Sequence, residues 1–161
     1  MRALLAPALL WTSAIGCGLM AGVYFAFSAF IMTSLGRIAP ASGVAAMQAM
    51  IVDIVNSPFM PVFMLTTLSA AGLAVLGVMR WGQPGSTWLV AGGVIYVIGM
   101  FGVTMMFNQP MNEALMTVDP AGPQGIASWS RYVADWTMWN HVRTAASTIA
   151  TAMFIVALVS R

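Results

Sequence analysis

The chain is short of almost everything that carries charge. It has no lysine, one histidine and four acids (Asp53, Glu113, Asp119 and Asp135) against six arginines. Charged residues make up 6% of the 161 and hydrophobic residues 60%, and so few charges cannot clothe a soluble domain. The net charge of +2 comes from scattered arginines with no polybasic run, so neither a nucleic-acid groove nor a lipid-headgroup patch is implied. The single cysteine, Cys17, excludes an intramolecular disulfide and a cysteine-based metal cluster. One histidine with no second nitrogen or thiolate beside it argues against zinc. No P-loop, no GxGxxG after a strand and no serine-centred elbow is present, so nucleotide and triad chemistry drop out. No metal and no cofactor are expected. Ala14-Ile15-Gly16-Cys17 has the outline of a lipoprotein cleavage site, but the apolar run continues to Leu35, beyond the roughly 7 to 15 residues of a signal-peptide core. A retained helix is expected there, with Cys17 as a small packing residue.

What the chain has instead is long apolar runs. They predict spans at about residues 4–35, 58–79, 87–107 and 138–160, each near or above the roughly 20 residues that cross a bilayer. Pro58 and Pro61 open the second span, in a first turn that tolerates proline. Arg80-Trp81-Gly82-Gln83-Pro84-Gly85-Ser86 reads as a tight turn, making spans two and three antiparallel neighbours. Gly18 and Gly22, and the group Gly92, Gly93, Gly99 and Gly102, offer small-residue faces for close helix contact, within the bundle or in a homo-oligomer. In the first connection Met47, Met50, Ile51, Ile54 and Val55 recur at three to four residues, the pattern of a short amphipathic helix at the interface, with Asp53 and Asn56 as polar members. Residues 124–136 predict a further helix in the third connection, and Pro110 is expected to stop or kink the third span. The expected architecture is all-α: a four-helix transmembrane bundle with short amphipathic interfacial helices in the first and third connections, residues 1–161 forming one membrane domain. With four spans both termini share a side. Arg2, Arg80 and Arg161 fall there and Arg37, Arg131 and Arg143 opposite, so the arginine count ties. The acids gather beside the second group, and the termini are therefore read as cytoplasmic, in a bacterial plasma membrane.

That second end also collects Asn56, Asn108, Asn112, Asn140 and His141, and polar groups at membrane depth are costly unless partnered, so they mark function. The densest stretch is Trp129 to Arg143, WSRYVADWTMWNHVR. Only 17 uncharged residues separate Arg143 from Arg161, so the last helix must begin before Arg143. On an unbroken helix Tyr132, Trp136, Trp139 and Arg143 form one stripe. Thr137, His141, Thr144, Thr148 and Thr151 form another roughly opposite, with Asn140 between them. The aromatic stripe reads either as an interfacial belt with a snorkelling arginine or as a flat, cation-edged wall for an aromatic ligand. The threonine stripe reads either as hydroxyl-bonded helix packing or as the setting of a buried imidazole acting as proton acceptor. The fifteen methionines read as packing filler.

Asn108-x-Pro110-x-Asn112-x-x-Leu115, then Trp129-x-x-Tyr132 and Trp136-x-x-Trp139-Asn140-His141-x-Arg143-Thr144, resemble the anthrone oxygenase family of small four-helix membrane proteins. Gly18 to Gly22 and Asn56-x-Pro58-Phe59 look similar too. The resemblance implies a membrane-embedded, cofactor-free oxygenase that uses molecular oxygen to convert an anthrone into an anthraquinone. That reaction needs a base, an oxyanion donor and an apolar slot, and the residues are read accordingly: His141 as base, Asn108, Asn112 or Arg143 as donors to the enolate oxygen, and Tyr132, Trp136 and Trp139 as the slot, with Asn140 and Asn56 beside them. The partner implied is a hydrophobic aromatic small molecule or lipid, with no nucleic acid. The competing reading is a non-catalytic membrane protein whose polar end binds a lipid, a quinone or a partner subunit.

Overall fold

The computed structural model describes the backbone of residues 2–160 and the side chains of residues 7–160. Arg161 and the side chain of Arg2, both used in the arginine count, lie outside the described residues. Among the described residues there is no strand, and the helices assemble into four long rods and one short helix. The first rod is α1 (Arg2–Ala26), a π-helical turn (Phe27–Ile31) and α2 (Met32–Arg37). The short helix α3 (Pro40–Val55) fills the first connection, opened by Pro40 in its first turn and closed by Asn56, whose side-chain amide donates to Val52 O at 2.9 Å. The second rod is α4 (Phe59–Met79). The third joins α5 (Ser86–Tyr96), two π-helical stretches (Val97–Gly102 and Thr104–Asn108) and α6 (Gln109–Met116). The fourth is a single helix, α7 (Pro123–Val159).

Four helical segments, Pro7–Arg37, Phe59–Met79, Ser86–Met116 and Pro123–Val159, are long and apolar enough to cross a membrane. They pack in a ring, α1 against α4, α4 against α5, α5 against α7 and α7 against α1. The side chains they turn outward are apolar, among them Leu19, Phe25, Leu65, Leu68, Val75, Ile98, Met106 and Ile155, as a lipid-covered surface requires. Inside, small residues let the backbones approach. A methyl group added at Gly93 would lie 2.5 Å from Ala70 O and 2.7 Å from Ala74 Cβ. A buried hydroxyl pair, Ser13 and Ser69 at 2.8 Å, ties α1 to α4. Gly82 and Gly85 take positive φ, 86° and 80°, in the tight turn between the second and third rods.

Two local expectations are revised. The residues expected as a separate helix in the third connection are helical but continuous with the last span. α7 thus runs 37 residues, about 55 Å at 1.5 Å per residue, well past a hydrocarbon core of about 30 Å. The connection itself is the short loop 117–122. Nor does Pro110 end the third rod: it falls in the first turn of α6. Its ring would crowd the carbonyl four residues back, and the helix widens there, with Gln109 N–H bonded to Thr104 O, five residues earlier.

Candidate functional site

The buried residues of α7 include Trp129, Tyr132, Trp136, Asn140, Arg143, Ser147, Ala150 and Phe154, which recur every three to four positions and form the stripe that faces the other rods. Asn140 therefore belongs with the aromatic and arginine stripe and not between two faces. His141 is exposed on the far side of the helix. Thr144, Thr148 and Thr151 spend their hydroxyls on carbonyls four residues back in their own helix.

Arg143 is the centre of the buried stripe, only 5% exposed. Its guanidinium carbon lies 4.4 Å from the centroid of the Tyr24 ring and 4.9 Å from that of Trp136. Nη2 donates to Asn140 Oδ1 at 2.8 Å and Nη1 reaches Thr104 Oγ1 at 3.5 Å, while Nε has no partner. Among the described residues the one ion pair is the exposed Arg131–Asp135, 3.3 Å apart, so no carboxylate neutralises Arg143. An arginine at membrane depth costs about 3 kcal/mol on insertion scales. Desolvated cation–π contacts of about 2 kcal/mol and a charged hydrogen bond of about 1.5 to 3 kcal/mol are enough to hold it ionised. The contacts offset the burial and leave the charge itself unmatched.

Asn140 holds this cation in place. Its amide nitrogen donates to Tyr24 O and to Ser28 Oγ, both at 2.7 Å, which fixes its oxygen toward Arg143. Asn108 is fully buried and donates to Trp136 O at 3.1 Å, with its own oxygen unpaired. Asn112 Oδ1 accepts from Tyr132 OH at 2.9 Å and from Trp136 Nε1 at 2.8 Å. Tyr96, Met100, Thr104, Asn108 and Asn112 recur strictly every fourth residue. On an ordinary α-helix the first and fourth of these would differ by roughly a third of a turn. The π-helical stretches take up that drift, so that Tyr96, Met100 and Asn108 are all fully buried. The third π-helical turn, in the first rod, carries Phe27 and Ser28 to the same place.

Between these groups is a cavity of about 340 Å³, bounded by Tyr24, Phe27, Phe59, Phe63, Thr104, Gln109, Asn112, Trp136 and Arg143 and roofed by α3. Met47, Met50, Ile51, Ile54 and Val55, the amphipathic face of α3, all line it. α3 can lie this close because residue 43 is glycine: a Cβ there would be 2.6 Å from the Trp129 indole. Gln48 ties the roof down, donating to Leu115 O at 2.8 Å and Val118 O at 3.0 Å. The cavity is of a size that takes a small aromatic molecule, at the lower end of the roughly 300 to 1,000 Å³ range for ligand pockets.

Of the residues singled out from sequence, Arg143, Asn112 and Trp136 line this cavity, while Asn108, Asn140 and Tyr132 support it from behind. Three lie elsewhere. His141 faces away from the bundle; Trp139 is half-buried and stacks on Phe107 with centroids 3.5 Å apart; Asn56 is exposed and caps α3. An imidazole on the outer face of α7 cannot share a centre with Arg143 two residues on, because such positions point apart on a helix. Sequence reasoning missed Ser28 and Thr104, and the one available signal was their polarity inside otherwise apolar spans. Among the described residues no three His, Cys, Asp or Glu side chains gather as a metal centre needs.

A family model described as anthrone oxygenase matches residues 49–153, more than half of the chain. That match includes the roof from Met50 on, the π-helical third rod and the buried stripe of α7 as far as Met153. No curated protein and no solved structure matches the chain.

Proposed function

The chain belongs to the anthrone oxygenase family, and on that footing we propose that it binds an anthrone-like phenolic in the cavity beneath α3 and promotes its oxidation by molecular oxygen. The observation that carries this reading is Arg143, a buried guanidinium held between Tyr24 and Trp136 with no acidic partner among the described residues, at the wall of an otherwise greasy cavity. Such a group recognises a flat aromatic anion.

The chemistry follows from the substrate. Removing a proton from the central methylene of an anthrone leaves an aromatic anion with its charge spread onto the carbonyl oxygen. The anion is electron-rich enough to pass an electron to oxygen and then form a carbon–oxygen bond at the former methylene. The resulting hydroperoxide loses water to give the quinone carbonyl, so one molecule of oxygen converts CH₂ into C=O plus H₂O. Arg143 stabilises the enolate oxygen, and Asn140 keeps the guanidinium aimed. No histidine, aspartate or glutamate is among the lining residues, so the proton leaves to solvent and the protein acts by stabilising the anion it leaves behind.

The test is purified protein in lipid nanodiscs with anthrone, in air and without oxygen. The expected result is quinone formation with one oxygen consumed per quinone, faster than autoxidation in empty nanodiscs and absent under nitrogen. Binding of anthrone with no acceleration over empty nanodiscs rejects the oxygenase reading in favour of a non-catalytic binding protein.

A further inference from the structure

We infer that Asn112 is a second recognition point in the same cavity, so that the ligand carries two oxygens: an ionised one for Arg143 and a neutral acceptor for the Asn112 amide. The inference rests on the cavity being the ligand site, as proposed above, and adds which molecules it selects.

The orientation of the Asn112 amide is fixed by its neighbours. Trp136 Nε1–H can only donate, so the Asn112 atom 2.8 Å from it is the carbonyl oxygen. Tyr132 OH donates to the same oxygen at 2.9 Å, which fills both its lone pairs. The amide cannot flip without placing N–H against N–H. Its NH₂ group therefore points away from Trp136 and Tyr132, and among the described residues it has no protein acceptor, while Asn112 itself lines the cavity.

The other polar side chains of the cavity wall are already engaged. Thr104 Oγ1 donates to Met100 O at 2.8 Å, Gln109 Nε2 to Glu113 Oε1 at 3.2 Å and Tyr24 OH to Met100 Sδ at 3.4 Å. Trp136 is spent on Asn112. The donors left to a ligand on fixed side chains are Arg143 and Asn112, one at the face of the Trp136 indole and one at its edge; the second N–H of Gln109 belongs to a side chain held only by its exposed bond to Glu113. Neither can turn away to find a partner, since Asn112 is pinned by two donors and Arg143 by Asn140 and two rings. A fixed, unmatched donor in an apolar cavity favours the ligand that supplies its acceptor over one that leaves it empty.

The experiment compares two probes on one tricyclic skeleton, 2-hydroxyfluorene and 2-hydroxyfluorenone, which share a phenol and differ by one ketone oxygen. Binding is measured by calorimetry under nitrogen, in nanodiscs, to the wild type, Asn112→Asp and Asn112→Ala. Aspartate keeps the acceptor for Tyr132 and Trp136 and loses the NH₂; alanine loses both. Wild-type protein is expected to prefer the ketone about tenfold, the worth of one hydrogen bond. In each variant that preference is expected to fall within twofold, whatever the added charge of aspartate does to both probes together. Equal binding of the two probes by the wild type, or a preference that survives in either variant, overturns the inference. Because no oxygen is present, the result stands apart from turnover. Discrimination without anthrone oxidation upholds this recognition point and removes the oxygenase reading, and oxidation without discrimination removes the recognition point alone.

Discussion

In the half of the bundle around Leu73, Tyr96 and Phe154 the rods touch through small residues: Gly93 lies against Ala70 and Ala74, Gly99 against Ala146, Gly92 against Phe154. In the half around Trp129, Trp136 and Met47 the same rods are held apart by large side chains and by amides that bridge from helix to helix. In a bilayer, lipid tails compete equally for apolar surface, so helices associate through close backbone contact and polar bonds. The first half uses the close contact. The second uses the polar bonds, which keep the rods at a distance and leave a cavity beneath α3. The candidate site thus lies toward the open half, in which glycine packing has been exchanged for indoles and amides, and away from the closed, glycine-packed half.

The largest effect is expected from removing the charge on which the open half is centred. Arg143→Met fills similar space and keeps the contacts with Tyr24 and Trp136 apolar. Losing one member of a desolvated charge contact costs about 2 to 5 kcal/mol, so kcat/KM for anthrone oxidation is expected to fall about 30-fold or more. The thermal midpoint is expected to hold or rise, because a buried cation without an acidic partner has been replaced by an apolar group. Activity within threefold of wild type would take the oxyanion role away from Arg143. A parallel collapse in stability would make the arginine a strut of the fold instead.

A smaller effect, and of the opposite kind, is expected in the closed half. Gly93→Ala drives a methyl group against the backbone oxygen of Ala70 and the Cβ of Ala74, neither of which moves without shifting a helix. Overpacking of this sort costs about 1 to 3 kcal/mol, read as a lowered melting temperature in detergent. Binding of 2-hydroxyfluorenone by the protein that remains folded is expected to stay within twofold. If affinity falls along with stability, the two halves are coupled.

Much of this division was legible in the sequence. The spans, the tight turn at Gly82 to Gly85 and the amphipathic face of α3 all follow from charge gaps, glycine and period, and the polar end was visible because Asn108, Asn112, Asn140 and Arg143 crowd into it. What α3 covers was not legible, since a face of Met47, Met50, Ile51 and Ile54 reads the same whether it rests on lipid or roofs a cavity. Nor was the register of the third rod. A strict 3.6-residue period would carry Asn108 and Asn112 away from Tyr96, and only the π-helical turns, which no local composition announces, bring them into line. Asn140 was set between two stripes for a related reason: helical spacing gives angles and not neighbours, and its side was decided by Tyr24 O and Ser28 Oγ on another rod.

The smallest effect is expected at the residue that the sequence made most conspicuous. His141 is the one histidine of the chain and sits in its densest motif, and an imidazole is the natural proton acceptor near neutral pH. Yet it is exposed on the outer face of α7, while Asn140 and Arg143 on either side of it are buried. To act on a ligand against Arg143 its ring would have to pass through the helix that carries it. His141→Ala is therefore expected to leave kcat/KM for anthrone oxidation within twofold of wild type across neutral pH, and to leave the preference for 2-hydroxyfluorenone unchanged. His141→Ala and Arg143→Met, measured side by side, separate position in the sequence from position in the bundle. A loss from alanine at 141 comparable to that from methionine at 143 would mean that the outer face of α7 is part of the site, reached across a contact between copies of the chain or from the lipid side. Indifference at 141 beside a large loss at 143 confines the chemistry to the cavity beneath α3.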